Sequence, residues 1–266
     1  MLETFLMLLL GLSQFGASRT ALAMVADARG RAIVDIEADD FVVRETGRPR
    51  DVLSVRVADY PIAVVLDSSA GAAGDFVMMR EAAARFIGRI GHRPIAVALS
   101  DPARLIAAFD DDRSVVMEAV GKTTSGGANE GLFQGIIDAA HAISENGSPF
   151  SAIVVVSASP LADVPNELLK PILDSGATVH VIVAGGQSQA PSRSAEMLRA
   201  LADETRGQFT TIYSSASYQV ALDRLADRLA PQLMVEYVVP VGSTSGNDVQ
   251  LGVRIPGARV IGLGVK

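Results

Sequence analysis

The stretch Ile62-Ala-Val-Val-Leu66, followed by Asp67-Ser-Ser-Ala-Gly71, constrains this chain more than any other. Five apolar residues in a row are too few for a helix and fit a strand covered on both faces, the habit of parallel sheets. The run stops at a carboxylate, two hydroxyls and a glycine, and a helical pattern takes over near Asp75. Strand, polar loop and helix open a βα unit, and in open α/β sheets ligands gather outside the carboxyl ends of the strands. Asp67, Ser68, Ser69 and Gly71 are therefore the first candidate binding residues.

The same grammar continues downstream. Phe76, Met79, Ala83, Phe86, Ile87 and Ile90 recur at helical steps, and Gly91 closes that helix. Ile95–Leu99 and Leu105–Phe109 read as a hairpin around Ser100-Asp-Pro-Ala-Arg104. Two helices follow, one near Arg113–Val120 and one reaching Ser144, with the loop Lys122–Asn129 between them. Ile153–Val156 and Val179–Ala184 are two further continuous strands, ending at Ser157-Ala158-Ser159 and at Gly185-Gly186. Helices near Pro165–Asp174, Met197–Leu201 and Leu222–Leu229, with a short strand Gln208–Tyr213, complete the alternation.

The flanks read differently. Thr20–Asp27 and Ala32–Ile36 predict a hairpin turning at Asp27–Gly30, and Phe41–Glu45 and Val52–Val57 predict two more strands with a turn at Thr46–Pro49 between them. Alternation returns in Leu233–Val239, Val249–Val253 and Arg259–Leu263. Short strands in two separate sets make poor independent sheets, so residues 19–58 and 232–266 are expected to pair into one small β-sandwich around an α/β domain at 59–231.

Composition excludes several functions. The formal charge is −7, with no dense cluster of Lys or Arg, so a nucleic-acid partner is not expected. The absence of cysteine removes disulfides and thiolate metal sites. Phe5–Leu12 is too short to span a bilayer but suits the core of a signal peptide, with Gly16 and Ser18 at the positions a peptidase reads. Residues 1–18 are accordingly read as a signal peptide, although Glu3 stands where a base is usual, and the mature chain as an exported, periplasmic or secreted protein with no transmembrane span.

This ordering of elements resembles the von Willebrand factor type A (VWFA) domain, and in particular a bacterial exported subgroup of that family. The marks are a first strand ending in Asp67-Ser-Ser69-Ala-Gly71, the hairpin at Ile95–Phe109, the loop Gly126-Gly127-Ala128, and the strand end Ser157-Ala158-Ser159. The resemblance implies a doubly wound, Rossmann-like, mainly parallel sheet. It also implies that these loops, including Asn129, form a protein-binding or adhesion surface. In the family they hold Mg²⁺ as a metal-ion-dependent adhesion site (MIDAS), which needs hard oxygen ligands near octahedral geometry. Here Asp67 and Ser69 retain oxygens, whereas Gly71, Ala128 and Ala158 have lost them. The expectation is a degenerate MIDAS, with Asp67 and Ser69 the residual metal candidates, no cofactor, and binding of another protein or ligand without metal. Asp75, Glu130 and Asp163 are the nearby acids that could substitute.

Two other readings stand beside it. One is a Mg²⁺-dependent adhesion domain with a non-standard site. The other is a doubly wound hydrolase using Asp67, but aspartyl phosphatases of that kind need a second Asp where Ser69 stands. His92, His141 and His180 fall on different predicted elements and form no spacing that asks for zinc or a catalytic base. Gly126-Gly127 and Gly185-Gly186 lack the lysine and spacing of a phosphate loop. No catalytic residue is expected.

Overall fold

The computed structural model describes residues 17–126, 131–158, 169–185, 193–241 and 248–266. The chain divides into two compact units, one formed by residues 1–58 with 231–266 and the other by residues 59–230.

In the first unit the strands are β1 (Ala17–Ala26), β2 (Phe41–Glu45), β3 (Arg48–Arg50), β4 (Val52–Val57), β11 (Leu233–Val239), β12 (Val249–Val253) and β13 (Arg259–Val265). They form a four-stranded sheet in the order β13-β1-β11-β4 and a three-stranded sheet in the order β12-β2-β3. Each sheet therefore mixes strands from both ends of the sequence. Ala21, Ala23 and Val25 of β1, Leu233, Val235 and Tyr237 of β11, and Phe41 and Val43 of β2 share one buried cluster. Alternation places them inward, as a two-sheet sandwich requires.

The predicted hairpin at Thr20–Ile36 is corrected here. β1 pairs with β11 over Ala17–Ala23 and with β13 over Ala21–Ala26, and residues 32–36 form no strand, meeting β1 only at the bridge Ala26↔Ala32 and the bond from the Ile33 N–H to the Val25 carbonyl. The turn itself is real: Arg29 and Arg31 N–H groups both donate to Asp27 Oδ1. Conversely, Thr46–Pro49 holds more than a turn, because Arg48–Arg50 pairs with β2 as an edge strand, where proline costs no ladder bond.

The second unit is built on a six-stranded sheet in the order β10-β9-β8-β5-β6-β7. Its strands are β5 (Ile62–Leu66), β6 (Ile95–Ser100), β7 (Ala103–Ala107), β8 (Ala152–Ser157), β9 (Thr178–Ala184) and β10 (Phe209–Ile212). All pairings are parallel except β6 with β7. Every residue of β5, β6 and β8 is buried, which is why these runs carry no alternation. Helix α1 (Phe76–Arg89) lies against α6 (Ser217–Leu229) and α2 (Arg113–Lys122). Helices α3 (Leu132–Asn146), α4 (Lys170–Asp174) and α5 (Arg193–Glu204) border the cluster that includes Ala63, Val65, Ile153, Val155, Val179 and Val181.

Two glycines let α3 come close to the sheet. A Cβ at Gly135 would lie 2.9 Å from the Leu99 carbonyl oxygen, and one at Gly131 only 1.7 Å from that of Ser100. Because the chain leaves β5 to form β6 on one side and later returns to form β8 on the other, the β5/β8 boundary is the point where strand order reverses. Asp67 ends β5 at that boundary.

Candidate functional site

Asp67 is 1% exposed, and its carboxylate bridges three strand ends. Oδ2 accepts from Ser157 Oγ at 2.8 Å and from the Ala158 N–H at 3.3 Å, both at the end of β8. Oδ1 accepts from the Ser69 N–H at 3.1 Å and from Ser100 Oγ, at the end of β6, at 3.3 Å. Both oxygens thus carry two hydrogen bonds each, close to the capacity of an ionised carboxylate. Every one of these donors is neutral. Ser100 Oγ also accepts the Ser68 N–H at 2.8 Å, so one hydroxyl ties two loop residues to β6.

Ser68, a binding candidate by its place in the sequence, is fully enclosed. Its hydroxyl accepts the Asp101 N–H and donates to the Asp101 carbonyl, each at 2.9 Å, while its own carbonyl accepts the Gly126 N–H at 3.1 Å. Ser69 is 5% exposed and leads into the short 3-10 turn Ala70–Ala72, with Gly71 exposed at its centre. Ala158 contributes only its N–H. Ala128 and Asn129, with Glu130 and Asp163, lie outside the described residues. Asp75 is turned to another task, since Ser215 Oγ donates to its Oδ1 and ties the start of α1 to the segment before α6.

Tyr218 of α6 closes the floor, its hydroxyl donating to the Ser157 carbonyl at 3.0 Å. Burial, and then the negative charges of Asp75 and Asp67, push that phenol well above its usual pKa. It therefore stays a neutral donor. Sequence reasoning missed Ser100, Ser157 and Tyr218 as partners of this loop. The only signal available was that Ser100 and Ser157 each end a continuous apolar run, which places a hydroxyl at the carboxyl edge of the sheet.

The histidines do not meet. His92 and His141 are exposed, and His180 is buried on β9 with Nδ1 lacking a partner among the described residues. Burial, and next the charge of Arg228, lower its pKa to about 3. Among the described residues no group of three or more His, Cys, Asp or Glu could hold a metal ion.

A six-stranded sheet with one antiparallel edge, an acidic loop at its switch point and helices on both faces is a known arrangement. The fold is that of a von Willebrand factor type A domain. The structure is similar to a von Willebrand factor type A protein from Catenulispora acidiphila, with a TM-score of 0.54 at 13% identity over 96% of this chain and 74% of that one. It is also similar to the von Willebrand factor domain of a type V pili tip protein from Porphyromonas gingivalis, with a TM-score of 0.52 at 11% identity over 65% of this chain and 95% of that one. No protein-family model and no curated protein matches the sequence. At such identities the likeness speaks for the fold alone.

The family's Mg²⁺ can be tested against the residues present. Mg²⁺ asks for six oxygens at about 2.0–2.1 Å and sheds water reluctantly. Asp67 already gives both oxygens to the chain's own donors, the Ser68 hydroxyl is committed to Asp101, and Gly71 and Ala158 have no side-chain oxygen. Of the matched positions that are described, Asp67 and Ser69 keep a side-chain oxygen, so the described residues supply few of the six ligands that Mg²⁺ asks for.

Proposed function

We propose that the VWFA-like unit is a protein-binding module whose Asp67 loop works without metal and without catalysis. The observation that carries this reading is the saturation of Asp67. Four neutral donors, from the ends of β6 and β8 and from the loop itself, take up both carboxylate oxygens, so the acid fastens the carboxyl edge of the sheet rather than presenting a ligand to an ion. An enclosed carboxylate so engaged is also a poor nucleophile, which weighs against the hydrolase reading. Binding then falls to the exposed rim around the loop.

Export belongs to the same proposal. The apolar core at Phe5–Leu12 supports it, as does the use of this fold in a pilus tip protein. Cleavage after Ser18 would leave Arg19, which pairs with Glu45, as the first residue. Among the described residues no helix is long and apolar enough to cross a membrane. Isothermal titration of Mg²⁺ and of Mn²⁺ into the purified protein tests the metal-free claim. No saturable heat is expected, and a stoichiometric isotherm would overturn it.

A further inference from the structure

Beside the Asp67 loop, and sharing its wall, lies an open cavity of about 400 Å³. Its lining includes Arg104 of β7, Lys122 at the end of α2, the hydroxyl residues Thr124 and Ser125, and Asp101. The Asp101 backbone is the part of the hairpin gripped by Ser68, and Gly126 at the far side donates to the Ser68 carbonyl. Its position is therefore fixed to the same loop that Asp67 holds. We propose that this cavity receives a carboxylate side chain from an acidic segment of a partner protein. The inference rests on the protein-binding reading above and names the chemistry of the partner.

Charge carries the argument. Arg104 is exposed, and its side chain makes no hydrogen bond or ion pair among the described residues. Among the described residues Lys122 pairs only with Glu118, one turn back on the exposed face of α2, a contact worth little and readily exchanged. Two available cations flanked by hydroxyls match a carboxylate, with the guanidinium able to take it in bidentate fashion. Asp101 opposes this. Its Oδ2 is buried with no partner among the described residues, and its negative charge at the cavity wall limits how strongly an anion is held.

That opposition gives the test its sign. The probe is a synthetic peptide of alternating glutamate and glycine, with the glutamine–glycine peptide as control, titrated by fluorescence anisotropy. The glutamate peptide is expected to bind and the control not to, and added salt should weaken the binding. Arg104→Ala should lower affinity about tenfold, as loss of a charge-assisted bond does. Lys122→Ala should lower it less. Asp101→Asn should raise affinity about threefold by removing the like charge. Circular dichroism checks that each variant is folded, and Lys122→Glu, on an exposed helix position, replaces Asp101→Asn if that variant is not.

Equal binding of the two peptides, indifference to Arg104→Ala, or weakening by Asp101→Asn would overturn the proposal. The titrations are run in EDTA and again in Mg²⁺. A Mg²⁺ effect that vanishes in Asp67→Ala would overturn the metal-free reading and leave the Arg104 dependence still legible. Indifference to Arg104 with no Mg²⁺ effect would overturn the acidic partner alone.

Discussion

Among the described residues each unit of this protein encloses one carboxylate almost completely, and the two are held in opposite ways. Glu45, at the end of β2, has a side chain with no exposure and sits between Arg19 Nη1 at 2.5 Å and Arg50 Nη2 at 3.0 Å. Asp67 has no cation on it and is held by hydroxyls and N–H groups. The difference teaches what each acid can do. Glu45 is neutralised twice over, in a cluster that also leaves the Tyr237 hydroxyl buried without a partner among the described residues, and it belongs to the cohesion of the sandwich. Asp67 sits in a fixed frame of neutral hydrogen-bond donors, which sets the geometry of the loop.

Breaking the Glu45 cluster should have the largest effect. Glu45→Gln removes the charge that two arginines share, and Arg50 is itself 5% exposed at the side chain. Uncompensated buried charge of this kind costs about 3–5 kcal/mol. Urea unfolding should show that loss, and a cost below about 1 kcal/mol would mean the arginines reach water without difficulty.

Asp67→Ala comes next, with an expected loss of about 1–3 kcal/mol, the range for stranding donors that served a charged acceptor. Ser157→Ala, which removes the 2.8 Å bond to Oδ2, should cost about 1 kcal/mol. If the frame acts as one unit, Ser157→Ala should cost much less in an Asp67→Ala background than alone. Additive losses would show that the two residues act separately.

Much of this was legible in the sequence. The apolar runs of β5 and β8 are uninterrupted because both faces of a central parallel strand are covered. Asp67 was legible for the same reason, being the first polar residue after such a run. Ala32–Ile36 misled because its alternation suits a strand, while most of β1 pairs with β11 and β13, strands more than 200 residues further on, and only its end at Val25 and Ala26 meets the returning chain. The partners of Asp67 were hidden for a related cause. Ser69 is local, but Ser100 and Ser157 are separated from Asp67 by 33 and 90 residues and meet it only because β6 and β8 flank β5. The Glu45 cluster is likewise hidden in the sequence, since Arg19 reaches it from β1, a strand of the other sheet.

Acid should distinguish the units more gently. His180 in the second unit is lowered from 6.5 to about 3, so the folded state resists a proton that the unfolded chain accepts. Its contribution is fully present above pH 6.5 and is lost as pH falls from there toward 3. His180→Phe should flatten that part of the stability–pH curve. An unchanged curve would show that the imidazole finds a proton acceptor in the folded state. Asp223, held below the usual carboxyl range by its hydrogen bond to Arg89, adds a smaller loss in the same direction as pH drops through the carboxylate range.

The central claim, that Asp67 is occupied by its own chain and takes no ion, is tested most directly by thermal melting of the wild type and of Asp67→Ala. Each is measured in EDTA and in millimolar Mg²⁺. The account predicts a lower Tm for the variant and no effect of Mg²⁺ on either protein. A wild-type Tm that rises by several degrees in Mg²⁺, with the rise absent in Asp67→Ala, would contradict it.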